Sequence, residues 1–240
     1  WGLVAALEDV SPMHWGCINQ FIVGADSPLL GFGLENTIDI VNGCDESPIA
    51  AKSCYDYDYF GYDDWWLPSK EELELVYENI GPGSELGNIG GFEYQQYLTS
   101  TEINSFEISI VQFHMMWHSL DTPIGYKDGS ILVNPNEGLY YLRPIRAFGN
   151  WIMGCMDSFA CNYNTEANLS DRTLCEYAEQ GYNCNGEEVN YIGEFAHGGI
   201  VFYVDETGQH GLVAAMEDLT EGATIYFEDE YHYNWGCFET

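Results

Sequence analysis

His114 and His118 flank Met115-Met-Trp117, and a spacing of four would place both imidazoles on one face of a helix, as a zinc site requires. The surrounding residues argue for a different geometry. Phe106, Ile108 and Ile110 alternate with Glu107 and Ser109, the period of a half-buried strand, and no third ligand stands nearby in sequence. Asp63 and Asp64 are adjacent carboxylates of the kind that do acid–base work, but neighbours on a strand point to opposite faces. There is no Gly-x-Ser-x-Gly elbow, no phosphate-cradling Gly-Lys-Ser/Thr loop and no recognisable Cys-His nucleophile arrangement, so the chain is expected not to be an enzyme.

The cysteines carry a clearer signal. Eight are present, and Cys155, Cys161, Cys175 and Cys184 fall in a 30-residue stretch rich in Asn, Asp and Glu. Paired Cys-x2-4-Cys spacing and neighbouring histidines are missing there, so a disulfide framework and an extracellular, cell-surface setting are expected in place of zinc. These four cysteines allow three connectivities. Cys17, Cys44 and Cys54 leave one thiol over in the preceding segment. Six Lys and Arg against 39 Asp and Glu give a net charge of -33. Nucleic acid, sulfated glycans and anionic headgroups need clustered cations, whereas Lys52, Lys70, Lys127, Arg143, Arg146 and Arg172 are scattered. Calcium is the natural counter-species for so many hard oxygen ligands. No apolar run reaches membrane-spanning length, and membrane insertion is not expected.

The elements that must position these residues begin with a repeat. Trp1 to Val10 matches His210 to Leu219 at seven of ten positions, with Gly2-Leu-Val-Ala-Ala6 recurring as Gly211-Leu-Val-Ala-Ala215. The match resumes at Trp15-Gly-Cys17 and Trp235-Gly-Cys237, so the offset grows from 209 (211 minus 2) to 220 (235 minus 15), an 11-residue insertion. Segment 220–234 is therefore expected to be an exposed loop. Upstream of the second copy, Gly199, Ile200, Val201, Phe202, Tyr203 and Val204 form a strand-like run, followed by a turn at Asp205-Glu-Thr-Gly208 and a second run from His210, which together read as a β-hairpin. The first copy starts within the second strand of that hairpin. Either a longer array of such repeats or a neighbouring molecule is expected to supply the partner strand; because residues 210–237 duplicate residues 1–17 and do not replace them, the array is favoured, and both readings give a linear assembly with Gly199 to Val204 as the assembly segment.

Between the copies, Asp63-Asp-Trp-Trp-Leu-Pro-Ser69 leads into a helix over 70–80 that stops at Gly81-Pro-Gly83. Ser69 and Glu72 make a capping box, and Leu73, Val76, Tyr77 and Ile80 give one buried face. A short helix is expected near Thr37 to Val41, and strands at 97–101, 106–118 and 138–148, with a turn at 125–129. Arg143 and Arg146, three apart on the last strand, face opposite ways, so one is expected to turn inward to an acidic partner. The domains are expected at 1–150, 151–190 (a disulfide-rich acidic linker) and 191–240 (the start of the next repeat). The fold class is α+β, with a twisted antiparallel sheet and one clear helix.

Asp63-Asp-Trp-Trp-Leu-Pro-Ser-Lys-Glu-Glu-Leu73, Leu98-Thr-Ser-Thr-Glu102 and Leu142-Arg-Pro-Ile-Arg-Ala-Phe148 resemble the Lcl C-terminal family, the domain that ends bacterial collagen-like adhesins. The resemblance covers residues 1–148, and residues 198–215 look like the start of the same domain. It implies an extracellular, non-catalytic module with a C-type-lectin-like fold. Adhesins of that family are associated with sulfated polysaccharides, a ligand this acidic chain does not suit. The Glu-Pro-Asn and Trp-Asn-Asp sugar motifs of C-type lectins are missing too. Residues 154–175 are similar to a short cysteine-rich repeat that links surface modules of secreted bacterial proteins. Asp157, Asn162, Asn164 and Asp171 match its polar positions; their oxygens either surround a calcium ion or make Asx turns.

Two functions are expected from these observations. The first is a structural subunit or repeat of an extracellular bacterial filament or pilus-like surface fibre, assembled head to tail from copies of itself. The alternative is a glycan-binding adhesin, for which Tyr55, Tyr57, Tyr59, Phe60, Tyr62, Trp65 and Trp66, alternating with aspartates, would supply stacking faces.

Overall fold

The computed structural model describes residues 1–113, 124–126, 140–217, 224–226 and 230–232, in two units, Trp1–Glu176 and Tyr177–Thr240. The first unit contains strands β1 (Gly2–Ala5) and β2 (Val10–Met13), helices α1 (Gly33–Gly43), α2 (Ala50–Tyr55) and α3 (Lys70–Asn79), and strands β3 (Gln96–Glu102), β4 (Glu107–Gln112), β5 (Ile124–Tyr126), β6 (Tyr140–Leu142), β7 (Ile145–Phe148), β8 (Met153–Gly154) and β9 (Leu169–Ser170). The second contains β10 (Phe195–Ala196), β11 (Gly199–Val204), β12 (Gly211–Ala214), β13 (Thr224–Tyr226) and β14 (Glu230–His232). The class is α+β, as expected, with three α-helices among the described residues where one was clear from sequence.

The first unit is built on a five-stranded sheet of order β2-β6-β3-β4-β5, antiparallel except where β3 meets β6. Successive side chains go to opposite faces. Leu98, Ile108 and Ile110 therefore join a core cluster with Trp15, Ile40 and Ile49, while Tyr97, Val111 and Phe113 join Trp66, Leu73 and Ile145 on the other side. Ser109 is buried as well, so β4 is covered on both faces, whereas alternation alone implied a half-buried strand. Each large side chain buried here contributes about 1.5–3 kcal/mol.

α3 forms where the capping box places it. The Ser69 hydroxyl accepts from the Glu72 N–H, and the Glu72 carboxylate accepts from the Ser69 N–H. The buried run Thr99-Ser-Thr-Glu102 then fastens neighbouring loops to the sheet. Glu102 accepts from Ile22 N–H at 2.8 Å, and Thr101 Oγ1 accepts from Lys70 N–H at 3.1 Å. The strand expected over 138–148 is two strands, β6 and β7, because Pro144 has no N–H to continue a ladder and Arg143 turns inward beside it. α1 is longer than the sequence suggested, and α2 was not anticipated.

Residues 151–176 complete the first unit and pack against its α1 and the loop before it. β8 and β9 pair in parallel, Ser170 N–H donates to Gly31 O at 2.9 Å, and Arg172 N–H donates to the Glu35 carboxylate at 2.7 Å. Gly31 has φ +92°, and a Cβ there would lie 2.6 Å from Asn168 O, so only glycine allows that approach. In the second unit β10, β11 and β12 form one antiparallel sheet, and β13 pairs with β14 within the segment expected to be a loop.

Candidate functional site

The first copy of the repeat is strand β1, paired within this chain with β7. β1 runs antiparallel to β7, with Gly2 opposite Phe148 and Val4 opposite Arg146. Ile145 gives both its N–H and its carbonyl to Trp66, at 3.0 and 2.9 Å, so it faces away from β1. With a period of two, Arg146 and Phe148 face β1 and bond to Val4 and Gly2, and the N–H and C=O groups of Leu3 and Ala5 point to the opposite edge. Ala6 N–H, donating to Pro144 O at 2.8 Å, continues this alternation. Among the described residues no strand pairs with β1 on that second edge. A groove of about 290 Å³ lies alongside, lined by Leu3, Leu30, Leu75, Val76, Ile80 and Ile145 among others.

The second copy pairs on its other side as well. β11 and β12 form the expected hairpin, with Val204 opposite Gly211, Tyr203 opposite Leu212, Val201 opposite Val213 and Ile200 opposite Ala214. Phe202 is the extra residue of a bulge between Val201 and Tyr203. The turn is held by Asp205, whose Oδ1 accepts from Thr207 N–H at 3.1 Å and whose N–H donates to His210 O at 2.8 Å. The His210 carbonyl thus faces β11, and two and four residues on, Leu212 and Ala214 present the same edge. Leu212 and Ala214 are the repeat equivalents of Leu3 and Ala5. In the second copy this edge carries β11.

β12 is exposed at every residue, whereas Leu3 and Ala5 pack against the second core cluster. Val201 of β11 is buried, and its neighbours Phe202 and Tyr203 are exposed.

The cysteine-rich segment is closed by Cys155–Cys175, and Cys17 bonds to Cys44. Cys161 and Cys184 are disulfide-bonded as well. Cys54 is the thiol left over: it is buried, and burial pushes its pKa far up. The four residues expected to offer oxygens to calcium each accept a backbone N–H, three of them in Asx turns and Asn162 from across the loop. Asp157 Oδ1 accepts from Phe159 N–H at 2.9 Å, Asn162 Oδ1 from Glu176 N–H at 2.9 Å, Asn164 Oδ1 from Glu166 N–H at 3.0 Å and Asp171 Oδ1 from Thr173 N–H at 3.0 Å. Among the described residues the one set of His, Cys, Asp and Glu ligand atoms close enough to share an ion is Cys17, Cys44 and Glu46, and both its sulfurs are spent in a disulfide. His114 and His118 lie outside the described residues.

Arg143 and Arg146 both find acidic partners, the first buried on Asp9 and the second at the surface on Asp64. The Arg146 guanidinium also lies 4.0 Å from the Tyr62 ring centroid. Tyr62 belongs to the aromatic group, of which Tyr55, Phe60 and Tyr62 are exposed while Trp65 and Trp66 are buried. Glu72 does more than its capping box indicated. Its Oε1 accepts from Gly31 N–H at 3.0 Å and its Oε2 from Trp66 Nε1 at 3.2 Å, holding loop 29–33 against the helix start. Burial pushes its carboxyl above the usual range, with the N–H donors pulling the other way.

No helix of the described residues is long and apolar enough to cross a membrane, and the disulfides are compatible with an extracellular protein. No protein-family model matches the chain, and no curated protein matches it.

Proposed function

We propose that this chain is a structural subunit or repeat of an extracellular surface fibre, joined head to tail with copies of itself, and that it works by assembly and not by catalysis. One observation carries the proposal: the same Gly-Leu-Val-Ala strand occurs twice, as β1 and as β12, the mark of a module repeated along the chain. Modules repeated along a chain contact chiefly their neighbours, and a head-to-tail contact between them propagates into a linear assembly. The disulfides and the net charge of -33 support a secreted setting and disfavour polyanionic partners. The likeness of residues 1–148 to Lcl C-terminal domains, with a fold related to C-type lectins, belongs to this proposal. So does calcium as the cation taken by the cysteine-rich segment, which chelation followed by thermal melting tests.

Electron microscopy of the native secreted material tests the assembly. Ordered fibres with an axial repeat of one copy are expected, and dispersed particles at all concentrations would overturn the proposal. The alternative, a glycan-binding adhesin, is favoured by the exposed Tyr55, Phe60 and Tyr62 rings beside Arg146, since exposed aromatic faces stack on sugars. Saturable sugar binding lost in Tyr62→Ala would support it.

A further inference from the structure

We infer that the seam between α1 and the cysteine-rich segment is a pH-dependent clasp: Glu35 and Asp39 together take up one proton, which tightens segment 151–176 against the helix in mildly acidic surroundings. The inference stands apart from the fibre proposal. Glu35 and Asp39 lie four residues apart on α1, so both carboxylates reach the same side of the helix. From the segment, Arg172 meets them both. Its Nε lies 3.5 Å from Glu35 Oε1 and its Nη1 3.5 Å from Asp39 Oδ2, while its Nη2 donates to Gly24 O at 3.1 Å. Glu35 Oε1 also accepts from the Arg172 N–H at 2.7 Å. Each carboxylate is left with one oxygen short of a donor. Glu35 Oε2 and Asp39 Oδ2 are closed to solvent, and among the described residues neither has a hydrogen-bond partner, the approach of Arg172 to Asp39 being an ion pair without a hydrogen bond.

Two carboxylates facing one guanidinium leave an excess negative charge in a partly buried seam. Further acid surrounds them. Asp26, in the loop before α1, repels Asp39 as Glu35 does, and Asp171 of the segment lines the same cleft. The Gly24 backbone closes over the group, since a Cβ there would lie 2.3 Å from Asp39 Oδ2 and 2.1 Å from Arg172 Nη1. A proton needs no such room. Taken from solvent by Asp39, it cancels the excess charge and turns an orphaned acceptor into an O–H donor, with Glu35 Oε2 as its acceptor one helical turn away. Glu35 remains the acceptor because its Oε1 already takes the Arg172 N–H. Burial pushes the Asp39 carboxyl above its ordinary value of 3.8; Arg172 pulls it down, and Glu35 and Asp26 add to the push. Between 3.8 and that raised value the folded chain binds more protons than the unfolded one, so the clasp strengthens as pH falls across the window and weakens as pH rises through it.

Amide exchange of the full chain tests the clasp, because the N–H groups of Ser170 and Arg172 donate across the seam, to Gly31 O and to Glu35. Protection is expressed relative to the free-peptide rate at each pH, which removes the base catalysis of exchange itself. From about pH 8 down to about pH 4, protection of these two amides is expected to rise, by up to about tenfold for each unit by which the folded Asp39 value exceeds 3.8. In Asp39→Asn, whose side-chain amide donates at every pH, the rise is expected to disappear. A flat profile in the parent, or a rise that survives in Asp39→Asn, would overturn the inference and leave the fibre proposal untouched. Carbon-13 NMR of the Asp39 carboxyl in the parent reads the same proton without any variant: a midpoint above 3.8 supports the clasp, and one at or below it overturns it.

Discussion

Arg143 Nε donates to Asp9 Oδ1 at 2.6 Å, joining residues 134 apart in the sequence. Arg143 is 2% exposed, and its Nη1 also donates to the carbonyls of Ala6 and Gly90, each at 3.0 Å. Asp9 Oδ2 accepts from the Tyr97 hydroxyl at 2.7 Å, and the guanidinium lies 4.1 Å from the Phe92 centroid. One side chain thus ties the segment after β1 to β3, to loop 88–92 and to the gap between β6 and β7. Arg143→Met leaves a largely buried carboxylate and two carbonyls without their donor, a loss of about 3–5 kcal/mol. Urea unfolding of the full chain should show a lower midpoint at unchanged slope. Arg143→Lys should fall between, because an ammonium cannot reproduce the planar fork.

Glu72 predicts a loss that charge alone does not explain. Its two oxygens face only donors: the N–H groups of Gly31, Gly33 and Ser69 and the indole of Trp66. Glu72→Gln is nearly isosteric, but its NH2 must meet at least one of these donors, and a buried donor left unpaired costs about 1–3 kcal/mol. The expected result is a stability loss of about 2–4 kcal/mol, with faster amide exchange at Gly31 and Gly33 than in the parent. A role confined to helix capping would cost about 1 kcal/mol and leave those two amides protected.

These two residues show what the sequence could disclose. The Ser69–Glu72 box and the β11–β12 hairpin were legible because both are local: the cap spans three residues, and the hairpin turns within Asp205 to Gly208. The repeat of Gly2 to Ala6 at Gly211 to Ala215 was legible because two copies can be compared without any structure. Glu72 reaching Gly31, 41 residues earlier, and Arg143 reaching Asp9 were not legible, since nothing in either local pattern selects the distant partner. The pairing of β1 with β7 was hidden for the same reason. α2 was obscured by Pro48 and Cys44 around a run of only six residues, although Ala50 and Ala51 favour helix. The Asx turns of the cysteine-rich segment stood in the sequence as one of two open alternatives for its oxygens.

Cys54 and the Cys17–Cys44 bridge predict opposite responses to thiol reagents. Cys54 is fully enclosed, and burial suppresses its thiolate, so peptide-resolved alkylation of the native chain should leave it unmodified for as long as the fold holds. Labelling of Cys54 should appear at the denaturant concentration at which the core unfolds. The Cys17–Cys44 bridge closes a sequence separation of 27 residues. Its removal by paired substitution to Ala should lower stability by about 3–4 kcal/mol on the chain-entropy account. The Cys54 label should then appear at correspondingly lower denaturant. Native-state labelling of Cys54 in the parent would contradict its enclosure.

Asp64 and Arg146 give the fold a small acid-sensitive term at the strand that carries β1. Arg146 donates from Nε and Nη2 to the two oxygens of Asp64, at 2.6 and 2.7 Å, and Arg146 stands opposite Val4 in the β1–β7 pair. The hydrogen bond from Arg146 holds the Asp64 carboxyl below the usual range, against the upward push of partial burial. A carboxyl depressed in the folded state adds stability that is complete above its ordinary value of 3.8 and is lost as pH falls through the folded value. The window therefore lies below about pH 4. Because the Asp64 side chain is 51% exposed, solvent screening holds the contribution under about 1 kcal/mol. Asp64→Asn should lower stability by that amount at pH 7 and match the parent once the pH is below the folded value, with the neutral-pH difference shrinking in high salt. A difference that persists unchanged at low pH would assign the effect to packing on Tyr62 and not to the ion pair. A difference that vanishes places part of the hold on the β1–β7 pair under the control of one surface carboxylate, so the amides of that pair should exchange faster in acid before the core unfolds.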